Sequence, residues 1–309
     1  MKIAVILPIY NQEKRLGRAL DSLAAQTFGD FVVIGVNDGS TDATAAILSD
    51  YQARGTLDLR VITKPNGGVS SARNAGLEAA LAIREVTHIA FLDPDDAYHP
   101  QCLEIAAHFI VRDPTALYEW EIAECDFPEP ERLPRYSADL LEERAFHGAP
   151  AVWNKVFPVE SVRNVRFFEE VSIAEDQAFV TEVRQRTQVR CRGIPAALTC
   201  YAKTPGSAMC RPLTAADFVE RRKVVRYLVG IFADDAAARA AFCRTKLFNL
   251  LKRFFREIRK TVPGDRCAAR DEFCAVLRDL RACGGLRLRS FKPNDLRYYL
   301  LFLYMSWRD

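Results

Sequence analysis

The sequence predicts an α/β fold in which a mostly parallel central sheet is followed by a helical C-terminal region. Over residues 1–112, short apolar runs typical of strands alternate with amphipathic helical patterns. Strands that are joined through helices of this length form βαβ units with parallel strands. From residue 215 onward, apolar residues recur instead at the spacing of a helix face. These two patterns together predict the fold class.

The predicted elements follow one another regularly through the first 112 residues. Strands are expected at residues 2–7, 31–36, 59–63 and 88–92. A helix lies between each pair, and the second begins at Ser40 or Thr41, which are good N-cap residues after the turn at Gly39. Prolines and acidic residues interrupt residues 113–150 and predict irregular connections with one or two weak strands. Residues 151–209 predict a mixture of short strands, helices and loops.

Charge is distributed unevenly along the chain. Residues 244–309 contain 16 Lys and Arg against 7 Asp and Glu, a net charge of +9, whereas the rest of the chain carries −6. This contrast indicates an anionic partner for the basic section, either a membrane surface or nucleic acid. Basic residues there flank an apolar stripe that includes Leu247 and Phe254, as in helices that rest on an anionic membrane. Packing of the stripe onto the protein's own core is the alternative.

The cysteines and the apolar runs indicate a cellular compartment. The nine cysteines are scattered and include no Cys-x-x-Cys pair, so they fit reduced thiols in a cytosol better than a zinc site or a disulfide framework. Neither a signal peptide nor an apolar run long enough to span a bilayer is apparent. We therefore expect a cytoplasmic protein that is not integral to a membrane.

An acidic tetrapeptide directly follows the fourth predicted strand, with the sequence Asp93-Pro94-Asp95-Asp96. Three carboxylates this close repel one another unless a cation joins them. Oxygen ligands suit hard cations such as Mg²⁺ or Mn²⁺, and open α/β sheets place their ligands at the carboxyl ends of strands. A solvated acidic turn is the alternative, because Asp and Pro are ordinary turn residues.

The other early strands also run into polar, turn-forming residues. The three segments are Pro8-Ile9-Tyr10-Asn11, Asn37-Asp38-Gly39-Ser40-Thr41-Asp42 and Lys64-Pro65-Asn66-Gly67-Gly68. At one edge of a parallel sheet, such loops form a shared crevice, although each is also explicable as an independent turn. A base could lie there against Pro8 and Tyr10, with Asp38 accepting a hydrogen bond. The helix that opens after Gly68 offers an anion site at its N-terminus, to which Arg73 adds a charged donor.

These motifs resemble, in order and spacing, those of the family 2 glycosyltransferases with the GT-A fold. Two later segments, Trp153-Asn154-Lys155-Val156-Phe157 and Ala174-Glu175-Asp176-Gln177-Ala178-Phe179, are similar to acceptor-side motifs of that family. The resemblance covers roughly residues 1–210. It implies a catalytic domain over residues 1–212, with a nucleotide-sugar-binding half (1–112) and an acceptor and base half (113–212), followed by a helical basic region over residues 213–309.

The resemblance also implies roles for individual residues. Nucleotide-sugar contacts are assigned to Pro8, Tyr10, Asn11, Asp38, Asn66, Arg73, Asp93, Asp95, Asp96, Trp153 and Lys155. Plain packing or a surface position is the alternative for Trp153 and Lys155. Asp95 is similar to the principal metal ligand of the family, with Asp93 beside it, and Mn²⁺ or Mg²⁺ is the implied cofactor. Asp176 is similar to the general base, with Glu175 as its helper or as a contact to the acceptor.

This division of roles fits the chemistry of inverting transfer, which needs a metal at the leaving diphosphate and a carboxylate that takes the acceptor proton. That base must lie across the sugar from the leaving group, so it should come from a different segment than the metal site. An acid that merely starts a helix is the alternative for Asp176.

Two departures from the family pattern narrow the prediction. The stretch from Tyr201 to Met209 lacks the Arg, the His and the second Ser of many relatives, so the identity of any further metal ligand is open; Lys203 is the candidate replacement for the missing charge. The Gln-x-x-Arg-Trp lid of processive synthases is also absent, which favours a single-addition enzyme.

The predicted function is therefore a metal-dependent, inverting hexosyl transfer from a nucleotide-diphosphate sugar, UDP-linked, to a saccharide or lipid-linked acceptor of the cell envelope. The expected partners are that donor and acceptor, with peripheral membrane contact through residues 244–309 and no nucleic acid. A nucleotidyltransferase and a nucleotide-sugar-binding protein without turnover are the alternatives.

Overall fold

The structure is a computed structural model that describes residues 1–124, 134–145, 151–202, 211–232 and 261–282, together with the single residues 235, 239, 242 and 258. The chain packs as two compact units, Met1–Thr204 and Pro205–Asp309. The first unit contains the sheet, and the second is helical in the part that is described.

The first half of the sheet is parallel, as predicted. Its strands are β1 (Lys2–Ile9), β2 (Phe31–Asn37), β3 (Leu59–Thr63) and β4 (Val86–Phe91), in the order β3-β2-β1-β4. They are joined by the helices α1 (Leu16–Ala24), α2 (Thr44–Arg54) and α3 (Gly68–Leu81). The four predicted strands and three helices are thereby confirmed. The predicted start of α2 at Ser40 or Thr41 is wrong, because those residues instead hydrogen-bond to Asn11.

Beyond β4 the sheet becomes mixed. The remaining strands are β5 (Ala97–Tyr98), β6 (Leu117–Glu124), β7 (Arg144–Ala145), β8 (Lys155–Pro158) and β9 (Cys191–Tyr201). β8 runs antiparallel between β4 and β6, and β9 is parallel to β6. The helices of this part are α4 (Cys102–Arg112), α5 (Val159–Val162) and α6 (Glu175–Thr187). The α/β class is confirmed, with the parallel strands of β1–β4 forming the half that carries the predicted crevice.

Both faces of the sheet are covered, and β1 shows why. Ile3, Val5 and Leu7 belong to one buried cluster, which also contains residues of α1, α2 and α4. Ala4 and Ile6 belong to a second cluster, which contains residues of α3 and α6. Side chains alternate between the faces of a strand, so a strand buried on both faces is a continuous apolar run.

The second unit contains two long helices among its described residues, α7 (Ala215–Gly230) and α8 (Arg266–Ala282). α7 begins with a capping box between Thr214 and Asp217. Arg222 on α7 forms ion pairs with Glu272 and Asp279 on α8, which join the two helices. Helices in this region confirm the predicted pattern where the chain is described.

The proposed membrane contact falls largely outside the described residues. Of residues 244–309, the structure describes only residue 258 and residues 261–282. Leu247 and Phe254 of the apolar stripe are not among them. No helix within the described ranges is both long and apolar enough to cross a bilayer.

Helix α3 packs closely on the sheet at Gly76. A Cβ atom at this position would lie 2.5 Å from Cγ2 of Ile6 and 3.2 Å from Cγ2 of Val36, both in buried strands. Alanine favours a helix over glycine by about 1 kcal/mol, whereas overpacking costs about 1–3 kcal/mol. We expect Gly76→Ala to lower the free energy of unfolding by about 1–2 kcal/mol in urea denaturation, since overpacking outweighs helix propensity.

Gly29→Ala is the matched control, because its Cβ would meet no atom within 4 Å. It should leave the free energy of unfolding within about 1 kcal/mol of the wild type. An increase in stability for Gly76→Ala would contradict the close approach of helix and strand.

Candidate active site

The loops after β1 and β2 are tied to each other at the carboxyl edge of the parallel strands. The Asn11 amide donates to Ser40 Oγ over 3.0 Å, and the Thr41 amide donates to Asn11 Oδ1 over 2.9 Å. Asn11 is also one of the few non-glycine residues with positive φ, at 50°. Asn11 therefore orders these two loops. Tyr10 beside it is 46% exposed, whereas Pro8 is buried in β1, so only Tyr10 presents a broad surface to solvent.

Asp38 holds the glycine turn that precedes α3. Its carboxylate is 2% exposed and accepts hydrogen bonds from Lys64 Nζ at 2.6 Å, from the Gly67 amide at 3.0 Å and from the Gly68 amide at 2.8 Å. The sequence predicts that Asp38 accepts a hydrogen bond from a base; the structure shows it already engaged with the third loop. Asn66 in that loop is exposed, and its Oδ1 accepts from the Gly68 amide at 3.2 Å.

Arg73 lies at the centre of the candidate site and is only 2% exposed. Its two terminal nitrogens contact three carboxylates, with Nη1 at 2.6 Å from Asp176 and 3.0 Å from Glu175, and Nη2 at 2.8 Å from Asp93. The guanidinium carbon lies 5.3 Å from the centre of the Phe167 ring. A buried cation requires such partners. Arg73 therefore joins the acidic turn after β4 to the start of α6.

Asp176 and Glu175 occupy the first turn of α6, directly after Ala174, whose φ is 61°. Asp176 uses its second oxygen, Oδ2, to accept a hydrogen bond from the Val152 amide at 3.2 Å. Burial raises the pKa of Asp176 to about 7, and the charges of Glu175 and Asp93 add to the rise while Arg73 opposes it. A carboxylate with a pKa near neutrality is well matched to accept a proton at neutral pH.

The acidic turn offers oxygen ligands of differing exposure. Asp93 and Asp95 are partly exposed, whereas Asp96 is 1% exposed. Asp96 Oδ1 accepts from the Ala202 amide at 3.0 Å, and the buried Oδ2 has no hydrogen-bond partner among the described residues. Burial, together with the charges of Asp93 and Asp95, raises the pKa of Asp96 to about 8. Carboxylates gathered in this way fit a divalent cation.

The described residues nevertheless do not contain three His, Cys, Asp or Glu side chains arranged to hold a metal ion. Mg²⁺ is often bound by one or two carboxylates, with substrate phosphates completing its coordination. The turn therefore fits a cation that arrives with a phosphorylated ligand better than a site made entirely of protein. Residues 203–209, which include Lys203 and most of the segment in which the further metal ligand is left open, lie outside the described part of the chain.

Trp153 and Lys155 have different surroundings. Trp153 is half-buried and its ring stacks on Tyr201. Lys155 is 0% exposed, and its Nζ lies 2.8 Å from Glu119 Oε2 and 2.7 Å from the Ala151 carbonyl oxygen. A donor contact requires an accessible ammonium group, so this interior placement differs from the predicted one. The buried ammonium group instead forms an ion pair with Glu119, which compensates for its burial. The sequence does not predict this ion pair, because no local pattern joins the two residues.

The chain is similar to a known protein family and to individual proteins. The model of Glycosyl transferase family 2 matches residues 4–166. The uncharacterized glycosyltransferase EpsJ of Bacillus subtilis is 44% identical over 94 residues, which are 30% of this chain and 26% of EpsJ. The minor teichoic acid biosynthesis protein GgaB of the same organism is 32% identical over 191 residues, which are 57% of this chain and 20% of GgaB. The chain thus spans about a quarter or less of these relatives' lengths.

Solved structures share the fold. The S. aureus TarS fragment 1-349 in complex with UDP has a TM-score of 0.70 at 21% identity, covering 99% of this chain and 88% of that chain. The mannosyltransferase PcManGT from Pyrobaculum calidifontis, in complex with GDP-Man and Mn²⁺, has a TM-score of 0.53 at 16% identity, covering 98% of this chain and 85% of that chain. At these identities the likeness shows a common fold.

The ion pairs of Arg73 predict a large, pH-dependent loss of stability in Arg73→Met. This change leaves three carboxylates without their shared cation, and removing one partner of a buried pair costs about 3–5 kcal/mol. Protonation of the carboxylates relieves their repulsion, so the loss relative to the wild type should be larger at pH 8 than at pH 5. Urea denaturation at both pH values measures it.

Arg163→Met is the control, because Arg163 pairs with Glu160 on the surface, where their side chains are 49% and 78% exposed. An exposed pair contributes about 0–1 kcal/mol. Equal, small losses for both variants would show that the Arg73 ion pairs contribute little to stability.

Proposed function

The chain belongs to glycosyl transferase family 2 and has the GT-A fold, and from this premise we propose that it transfers a hexosyl group from a UDP-linked sugar to a saccharide or lipid-linked acceptor, with inversion at the anomeric carbon. The observation that carries the proposal is the arrangement around Arg73. There, a carboxylate with a pKa near neutrality, Asp176, is held beside the acidic turn that contains Asp93 and Asp95.

In the proposed reaction, Asp176 removes the proton from an acceptor hydroxyl group. The acceptor oxygen then forms a bond to the anomeric carbon as the bond from that carbon to the diphosphate oxygen breaks, and the nucleoside diphosphate leaves with the electron pair. Burial, helped by the charges of Glu175 and Asp93, keeps the pKa of Asp176 high enough for it to accept the proton, while Arg73 fixes its orientation.

A divalent cation, Mn²⁺ or Mg²⁺, would neutralise charge on the leaving diphosphate. We propose Asp95 as its principal ligand and Asp93 as the second. The oxygen donors of the acidic turn and the buried, unpaired Oδ2 of Asp96 support a cation in this region. Arg73 would hold the Asp93 side of the turn in place.

The donor would bind along the first three loops. Tyr10 supplies an exposed ring for the base, next to Pro8, while Asp38 and Asn66 line the glycine turn where α3 begins. Fold neighbours were solved with UDP-GlcNAc and with GDP-Man, which supports a nucleotide sugar as the class of donor.

The cell envelope is the proposed setting of the reaction. The name of GgaB, a minor teichoic acid biosynthesis protein, supports a surface polymer as the product. A cytoplasmic location with peripheral membrane contact through residues 244–309 belongs to the same proposal. Membership of glycosyl transferase family 2 argues against the nucleotidyltransferase alternative. The two experiments below distinguish an active transferase from a protein that binds nucleotide sugars without turnover.

Asp176→Asn tests the base. The amide keeps the shape of the side chain but cannot accept the proton, so transfer should fall about 10²–10⁴-fold while binding of UDP is retained. In the wild type, kcat should rise as the pH increases through about 7, because the base acts in its deprotonated form. Nucleotide release from a panel of UDP-sugars with acceptors measures transfer, and calorimetry measures UDP binding.

Asp50→Asn is the control, since Asp50 lies on the surface of α2 and pairs there with Arg54. It should leave transfer unchanged. A much greater loss from Glu175→Gln than from Asp176→Asn would identify Glu175 as the base instead.

Removal of divalent cations tests the metal. EDTA should abolish transfer, and added Mn²⁺ or Mg²⁺ should restore it. Asp95→Ala should also abolish transfer without lowering the thermal unfolding midpoint, because the side chain is partly exposed. Asp139→Ala serves as a control, with a side chain that is 89% exposed. Undiminished transfer in the presence of chelator would exclude the cation from the reaction.

A further inference from the structure

Two half-buried aromatic rings form a stacked pair at the end of β9. The rings of Trp153 and Tyr201 are parallel to within 12°, and their centres are 5.3 Å apart. Both side chains are intermediate in burial, so part of each remains accessible to solvent. Another closely stacked pair among the described residues, Phe167 and Phe179, has its ring centres 4.0 Å apart and is buried in the core. The Trp153–Tyr201 pair is thus more exposed than a core pair.

The backbone next to each ring contacts a carboxylate of the candidate active site. The amide of Val152, the residue before Trp153, donates to Asp176 Oδ2 at 3.2 Å. The amide of Ala202, the residue after Tyr201, donates to Asp96 Oδ1 at 3.0 Å. Successive Cα atoms are about 3.8 Å apart, so each ring belongs to a residue adjacent to one of these contacts.

The backbone of Trp153 is also held by hydrogen bonds from the buried sheet. Its carbonyl oxygen accepts a hydrogen bond from Thr199 Oγ1 at 3.2 Å, and the same Oγ1 accepts from Trp120 Nε1 at 2.7 Å. Thr199 and Trp120 are buried in β9 and β6. A surface that is ordered before binding loses less conformational entropy when a ligand contacts it.

We propose that the Trp153–Tyr201 pair is the platform on which a pyranose ring of the acceptor packs, so that the receiving unit is a cyclic sugar rather than a linear polyol or a lipid hydroxyl. This inference rests on the proposed function. A pyranose ring carries C–H groups on its faces and hydroxyl groups around its edge. Packing one face on an aromatic ring removes apolar surface from water and leaves the hydroxyls free. A hydroxyl can then point towards Asp176, which must lie within hydrogen-bond reach of it.

Saturation-transfer NMR on the full chain tests the platform without any donor or turnover. The probe is methyl β-D-glucopyranoside, and ribitol is the linear control. In the wild type, saturation should reach the ring C–H protons of the glucoside and reach ribitol more weakly. Trp153→Leu should weaken glucoside binding about 2- to 10-fold, the range expected for a lost aromatic contact. Trp153→Phe keeps a ring and should retain most of the binding.

Three results would overturn the proposal: equal NMR saturation of ribitol and the glucoside, unchanged glucoside binding in Trp153→Leu, or no NMR saturation of the glucoside by the wild type. If Trp153→Leu does not fold, as judged by its thermal unfolding midpoint, Tyr201→Leu takes its place. Failure of the proposed function would appear separately, as a wild-type protein that turns over no nucleotide sugar while glucoside binding is intact.

Discussion

A single buried guanidinium group determines the arrangement of the candidate active site. Arg73 comes from α3, Asp93 from the turn after β4, and Glu175 and Asp176 from the start of α6, and all meet within hydrogen-bond distance. An unpaired cation in the interior is very unfavourable. The folded state therefore keeps these segments together, and the same contacts that stabilise the packing of α3 against α6 also fix the carboxylates in position.

The cluster also has more negative than positive charge. One cation shared by three carboxylates cannot fully compensate them, and burial raises the pKa of Asp176 to about 7. Nearby, burial and like charges raise the pKa of Asp96 to about 8. Gathering acids in this way costs stability, and such perturbed carboxylates are concentrated at sites of proton transfer and cation binding. The electrostatic free energy of these buried carboxylates is thus unfavourable at the place where the reaction is proposed. The buried residues of the adjacent strand β1, in contrast, are all apolar.

Local sequence patterns predict the parallel half of the sheet but not the contacts between segments that are remote in the chain. The strands β1–β4 are short apolar runs separated by helices, so their parallel order follows from sequence periodicity. The order of β8, β6 and β9 does not, because those strands pair with partners that are remote in the chain. The acidic turn and Asp176 were identified by motif, whereas the role of Arg73 between them depends on tertiary contacts. Lys155 illustrates the same limit, since only the folded sheet shows that Glu119 is its partner.

The engagement of Asp38 has a consequence for the strength of donor binding. Its carboxylate already accepts hydrogen bonds from Lys64 and from the amides of Gly67 and Gly68. Because Asp38 is only 2% exposed, a base that hydrogen-bonds to this carboxylate must move part of the glycine turn, so the free energy of moving the turn is subtracted from that of binding. Each 1.4 kcal/mol that is needed to move the turn lowers the apparent affinity for the nucleotide about tenfold. The glycine turn would then favour nucleotides whose own contacts compensate for the hydrogen bonds of Asp38 that are lost on binding.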